Sequence, residues 1–199
     1  MDFSSNLFDW QLISLFLLVI FMAKALIGDI RDHRISNQQI IWMLCAGVVL
    51  NGLGPSGDGE GMLTSHPGAL GTRLSLAGAF MGLVLLLPLY RLRALGGGDV
   101  KLMGALGSFF GPVEIVNLTL SILITGGCLA VVRLFWIDKT RLALANIAGL
   151  LTCVTTSKDL HFDPSTQSVE RMPFVPAIAL GNLVYGLWRW HGGAQFIHF

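Results

Sequence analysis

A chain of 199 residues with 53% hydrophobic and 13% charged side chains and a formal net charge of +1 is poorer in charge than an aqueous domain, which carries roughly 25%. It reads as a membrane protein, and its scattered Lys and Arg residues form no basic stripe, which excludes nucleic acid as a partner. Cys45, Cys128 and Cys153 all lie in apolar stretches without C-x-x-C spacing, so they read as buried, inert thiols rather than as a zinc site or disulfide framework.

The first apolar run, Trp10 to Ile27, is long enough at ~1.5 Å per residue to cross a ~30 Å hydrocarbon core. Asp2 and Asp9 precede it and Arg31, His33 and Arg34 follow it, the reverse of a cleavable signal peptide. The segment is therefore expected to be retained, with its N-terminus outside. Lys24 lies about a turn from the basic end, within snorkelling reach of the interface. A second run, near 38–53, leads into Gly54 to Gly61, a Gly/Pro-rich stretch that reads as an exposed loop. Asp58 and Glu60 alternate there with glycines but lack the ligand spacing of a calcium loop.

The third span, near 74–90, ends at Arg91 and Arg93 and delivers the chain to Gly96-Gly97-Gly98-Asp99-Val100-Lys101. A helix is expected to start at about Val100, near a fourth segment at 101–112 that Gly111-Pro112 leaves short or broken. A longer fifth run covers 113–137. The apolar stretch at 142–155 is below spanning length and reads as interfacial or re-entrant. Polar residues, His161 among them, continue to Arg171, and a sixth span near 173–190 closes the chain, with Tyr185, Trp188 and Trp190 as an interfacial aromatic belt. His33 and His161 read as solvated loop residues rather than metal ligands.

The expected fold is all-α, one membrane-embedded domain over 1–199, a polytopic bundle of about six transmembrane helices with its N-terminus outside. On that layout ten Lys and Arg residues fall inside and only Arg73 and Arg189 outside, as the positive-inside rule requires. Asp29, at the end of span one, and Asp99, at the start of span four, share the inner face. Acids at a bilayer edge are expensive and point to function. Two close carboxylates cannot both ionise cheaply, so they share a proton, which suits general acid–base hydrolysis of a peptide bond without metal or cofactor. The plainer readings are Asp99 as a helix N-cap and Asp29 as a partner of Arg31 or Lys24. Lys101 reads either as a group orienting the two acids or as a snorkelling, topology-setting lysine.

These residues resemble a known family. Gly96-Gly97-Gly98-Asp99 fits the Gly-x-Gly-Asp motif of intramembrane aspartyl proteases, and with Val100-Lys101 it resembles the version in type IV prepilin peptidases. Asp29 to Asn37 is similar to that family's first-aspartate segment, in which Ile-Pro-Asn follows six residues after the Asp; here Ser36 stands in place of the proline. That spacing selects Asp29 over Asp32. Arg171 to Gly181 resembles the proline-containing start of the family's last helix.

The resemblance implies an aspartic endopeptidase with Asp29 and Asp99 catalytic, and with Asn37, Gly96, Gly98 and Lys101 as supporting motif residues. Arg171, Pro173 and Pro176 are candidates for the substrate face. It implies no metal and no cofactor, and as substrate a prepilin or pseudopilin precursor with a basic leader, a Gly at the cut and an apolar helix beyond. The implied location is a bacterial inner membrane, with the site at the cytoplasmic face. The chain lacks the cysteine-rich N-terminal insertion associated with N-methylation and resembles the short Tad/Flp form, so peptidase activity is expected and methyltransferase activity is not assigned. The alternatives are a preflagellin peptidase-like enzyme, or a small proton- or cation-coupled transporter, for which an internal repeat is the expected signature and none is visible.

Overall fold

Runs of Leu, Ile, Val and Phe punctuated by Gly, Pro and basic residues give helices throughout the computed structural model, which describes residues 3–32, 35–55, 61–63, 68–92, 95–136 and 174–191. In chain order these are α1 (Phe3–Asp32), α2 (Asn37–Leu53), α3 (Thr72–Arg91), α4 (Gly97–Trp136) and α5 (Val175–Trp190). The all-α expectation holds among the described residues, where the sole extended pairing is an isolated bridge between Gly61 and Gly68. Three stretches, Leu7–Asp32, Thr72–Arg91 and Gly97–Val132, are long and apolar enough to cross a membrane. The 142–155 segment, Arg171, Pro173, His33, His161, Asp58 and Glu60 lie outside the described residues.

The chain divides into two compact units, Met1–Thr125 with Pro173–Phe199, and Gly126–Met172. The described part of the second is the helical run 126–136.

Within the first unit α4 is not one rod. Gly111 has φ 77° and ψ 177°, a left-handed-side conformation that glycine alone adopts readily, and Pro112 follows it. A Cβ built on Gly82 of α3 would lie 3.0 Å from the Met103 carbonyl carbon and 3.3 Å from the Ile115 side chain. On a straight helix those two residues would stand about 18 Å apart. The chain therefore doubles back at Gly111, and α4 is a hairpin of α4a (97–110) and α4b (from 112 onward). The short-or-broken fourth segment expected from Gly111-Pro112 is this first arm.

Close backbone approach holds the hairpin against α3. A Cβ on Gly78 would collide with the Gly107 carbonyl and the Gly111 backbone, and one on Gly107 would collide with Gly78 in return. In hydrocarbon, where apolar side chains gain little by leaving lipid, such small-residue seams and interhelical hydrogen bonds are what bind helices. α4a is the inner helix: every residue from Leu102 to Phe110 is buried, whereas α1, α2, α3 and α5 expose apolar side chains such as Phe16, Trp42, Phe80 and Leu183 outward. Cys45 and Cys128 belong to exposed positions, correcting the expectation of buried thiols; Cys153 lies outside the described residues. An outward helix face in such a bundle is as apolar as an inward one, so an apolar neighbourhood does not distinguish them.

The reversal frees backbone acceptors, because Pro112 has no N–H to offer the Ser108 carbonyl. Asn51 Nδ2 donates to Ser108 O at 2.9 Å and Phe109 O at 3.2 Å, and Ser75 Oγ donates to Ser108 O at 2.6 Å. Asn51 Oδ1 also accepts the Leu70 N–H at 3.2 Å. One amide thus ties α2, the approach to α3 and the end of α4a together. The Gly54 to Gly61 stretch, expected to be an exposed loop, is anchored at its base: Gly61 and Met62 are buried, and Met62 O accepts Gln11 Nε2 at 2.7 Å. Burying an unpaired carbonyl is costly, and Gln11 removes that cost.

Candidate active site

Asp29 and Asp99 lie at one end of the first unit and are 7% and 9% exposed. Asp29 sits in the last turn of α1, and its Oδ2 accepts the Val175 N–H, the first of α5, at 3.2 Å. A helix N-terminus offers unpaired N–H groups and a positive dipole end, so the carboxylate is held where its charge is favoured. Neither Arg31 nor Lys24 pairs with it among the described residues; both are exposed.

Asp99 sits in the first turn of α4a, which begins at Gly97 rather than at the expected Val100. Its Oδ2 accepts the Gly96 N–H at 3.2 Å. It is thus the third helical residue reaching back to the cap position, the acidic half of a capping box, and not the N-cap itself. Capping is compatible with a chemical role, since this bond occupies one carboxylate oxygen and holds the side chain in place. Asp99 also interacts with the charge of Asp29.

The glycine run works by room rather than by unusual dihedrals: among the described residues positive φ occurs at Gly61, Gly71 and Gly111, not here. A Cβ on Gly96 would lie 3.2 Å from Asp99 Oδ2 and press on the carboxylate. On Gly98 it would make ordinary contact with Ile35 at 3.5 Å, and on Gly97 with Tyr90 at 3.4 Å.

Lys101 is exposed, and its Nζ donates to Asn37 Oδ1 at 3.0 Å. The two supporting motif residues therefore meet each other, clasping the start of α2 to the start of α4a. Pro176, at the second position of α5, is half-buried beside Val175. Asp32 is exposed on the last turn of α1.

A second polar cluster was not anticipated. Glu114, in the first turn of α4b, is 5% exposed; it accepts the Tyr185 O–H at Oε2 and pairs with Arg189 at 3.0 Å through Oε1. Tyr185 is buried, which removes it from the expected aromatic belt, while Trp188 and Trp190 are exposed. The signal available in the sequence was one acid and one base inside apolar segments, which are expected to find each other.

Two buried acids, each held by a backbone N–H group at a helix start, are the candidate carboxylate site of this apolar helical bundle. The type IV leader peptidase family model matches residues 16–131, more than half of the chain and a range containing both Asp29 and Asp99. The protein belongs to the type IV leader peptidase family, whose peptidases are of the aspartic type. Comparison with curated proteins and with solved structures finds no match.

Proposed function

We propose that this protein is an intramembrane aspartyl endopeptidase that removes the basic leader from prepilin-like or pseudopilin precursors at the cytoplasmic face of a bacterial inner membrane. The observation carrying this reading is the pair of buried carboxylates, drawn from segments 70 residues apart, in a member of a leader peptidase family. Each acid spends Oδ2 on a backbone N–H. Oδ1 of each then serves a water between them: one carboxylate takes the water proton as the oxygen bonds to the scissile carbonyl carbon. The other, protonated, gives its proton to the departing nitrogen as the C–N bond breaks. The roles belong to the pair.

In this reading the helices cross the membrane six times from an outside N-terminus, α4a and α4b counting separately. A basic leader stays inside while the apolar helix beyond the cut remains in lipid, which brings the scissile bond to the depth of the acids. The resemblance to the short form suggests Tad/Flp-type substrates.

The test is co-expression with a precursor from the same genome. Asp29→Asn and Asp99→Asn, each inserted normally, are expected to abolish the mobility shift of the precursor, while Asp32→Asn retains it. Full processing by either of the first two would overturn the dyad.

A further inference from the structure

The Glu114 cluster is buried, charged and remote from the acids, and stability alone explains it poorly. Removing two ions from water offsets most of what their attraction returns, and apolar replacements of similar volume commonly do as well or better. The best-attested use of a buried polar set is to fix register.

The helix it grips is the one that holds Asp29. α5 has 16 residues, about 24 Å of rigid helix, and is pinned at both ends. At its start Val175 N–H bonds Asp29. Toward its end Tyr185 and Arg189 bond Glu114. Between them α4b runs antiparallel alongside: Ser121 Oγ donates to Gly181 O at 3.1 Å and Thr125 Oγ1 to Ala177 O at 3.3 Å. A Cβ on Gly181 would lie 2.7 Å from Ile122 Cα, so the two helices touch at backbone level.

Those central contacts set the spacing of the helices, but a Ser and a Thr bonding to single carbonyls resist sliding weakly. A one-residue slip moves α5 by about 1.5 Å. That is enough to break a bond of 3.2 Å to Asp29. Resting on the reading of Asp29 and Asp99 as the catalytic pair, we infer that Glu114, Tyr185 and Arg189 are positioning residues that set the axial register of α5 and, through Val175, the position of the Asp29 carboxylate.

The test uses the full chain reconstituted in liposomes and a fluorophore–quencher peptide with a basic leader, Gly and an apolar helix. In the triple variant Glu114→Leu, Tyr185→Phe, Arg189→Leu the polar grip is gone and the volume roughly kept. The expected result is a native-like Tm with kcat down about tenfold, KM within about twofold, and faster amide exchange in the peptide covering residues 174–177. Wild-type kcat and exchange at a native-like Tm would overturn the inference, as would a raised KM at unchanged kcat, which would put the cluster against substrate. Should the triple variant fail to fold, Glu114→Gln carries the same test, and Arg189→Lys is expected to restore part of kcat where Arg189→Gln does not. Asp29→Asn and Asp99→Asn in the same assay separate the two readings: their full activity refutes the dyad, while their inactivity beside an unaffected cluster variant refutes only the register role.

Discussion

Both ends of the first unit bury carboxylates, and they treat them in opposite ways. Asp29 and Asp99 are held by single backbone N–H bonds and, among the described residues, have no cation within pairing distance. Glu114 is bonded by a tyrosine hydroxyl and an arginine, at the start of one helix and the end of another, where the dipoles of both suit the two charges. The difference separates acids that meet only backbone N–H groups from one that meets a cation. Burial is common to both; the partner distinguishes them.

Several substitutions break or sharpen this contrast. Removing either of the paired acids is expected to have the largest effect: Asp29→Asn or Asp99→Asn should lower kcat by about 10² to 10⁴, the range of general acid–base catalysis, with Tm unchanged or raised. Gly96→Val comes next, since a side chain there meets Asp99 Oδ2; a drop of about tenfold or more in kcat with an intact fold is expected in the peptide assay, the carboxylate being displaced but not deleted. Asn51→Leu acts far from the acids. It leaves two carbonyls of α4a and the Leu70 N–H without the amide, and is expected to destabilise by about 1–3 kcal/mol, read as a lower Tm in detergent, with kcat near wild type below the transition. Asn37→Ala or Lys101→Met breaks an exposed bond worth up to about 1 kcal/mol, so a change of about fivefold or less in kcat is expected, and the double variant should be no worse than either single one. Asp32→Asn, on the exposed face, is expected to change neither quantity by more than about twofold.

The acids were legible in the sequence because each belongs to a local pattern: Gly-x-Gly-Asp around Asp99, and the spacing from Asp29 to Asn37. The all-α fold was legible from apolar runs, and the weakness at Gly111-Pro112 from the two residues themselves. What escaped was tertiary pairing. Arg189 read as a topology marker and Tyr185 as a belt residue because nothing within a few positions of either points to Glu114, which precedes them by 75 and 71 residues. Asn51 is unmarked in the sequence for the same reason; the carbonyls it serves are 57 and 58 residues away. The start of α4a was misplaced by three residues because glycines argue against helix, yet here they make the first turn, with Asp99 reaching back to hold it.

The reversal at Gly111 also governs parity. Judged by length and apolarity, Gly97–Val132 is one membrane crossing. Because the chain turns back, Thr125, bonded to Ala177 two residues beyond Val175, has returned to the end from which Lys101 set out. In the proposed six-span reading the stretch therefore counts as two passages instead of one. On that reading, a reporter inserted shortly after Thr125 is expected to label the same side of the bilayer as one inserted before Gly97, and opposite labels would show that the reversal at Gly111 and Pro112 is not a return across the membrane.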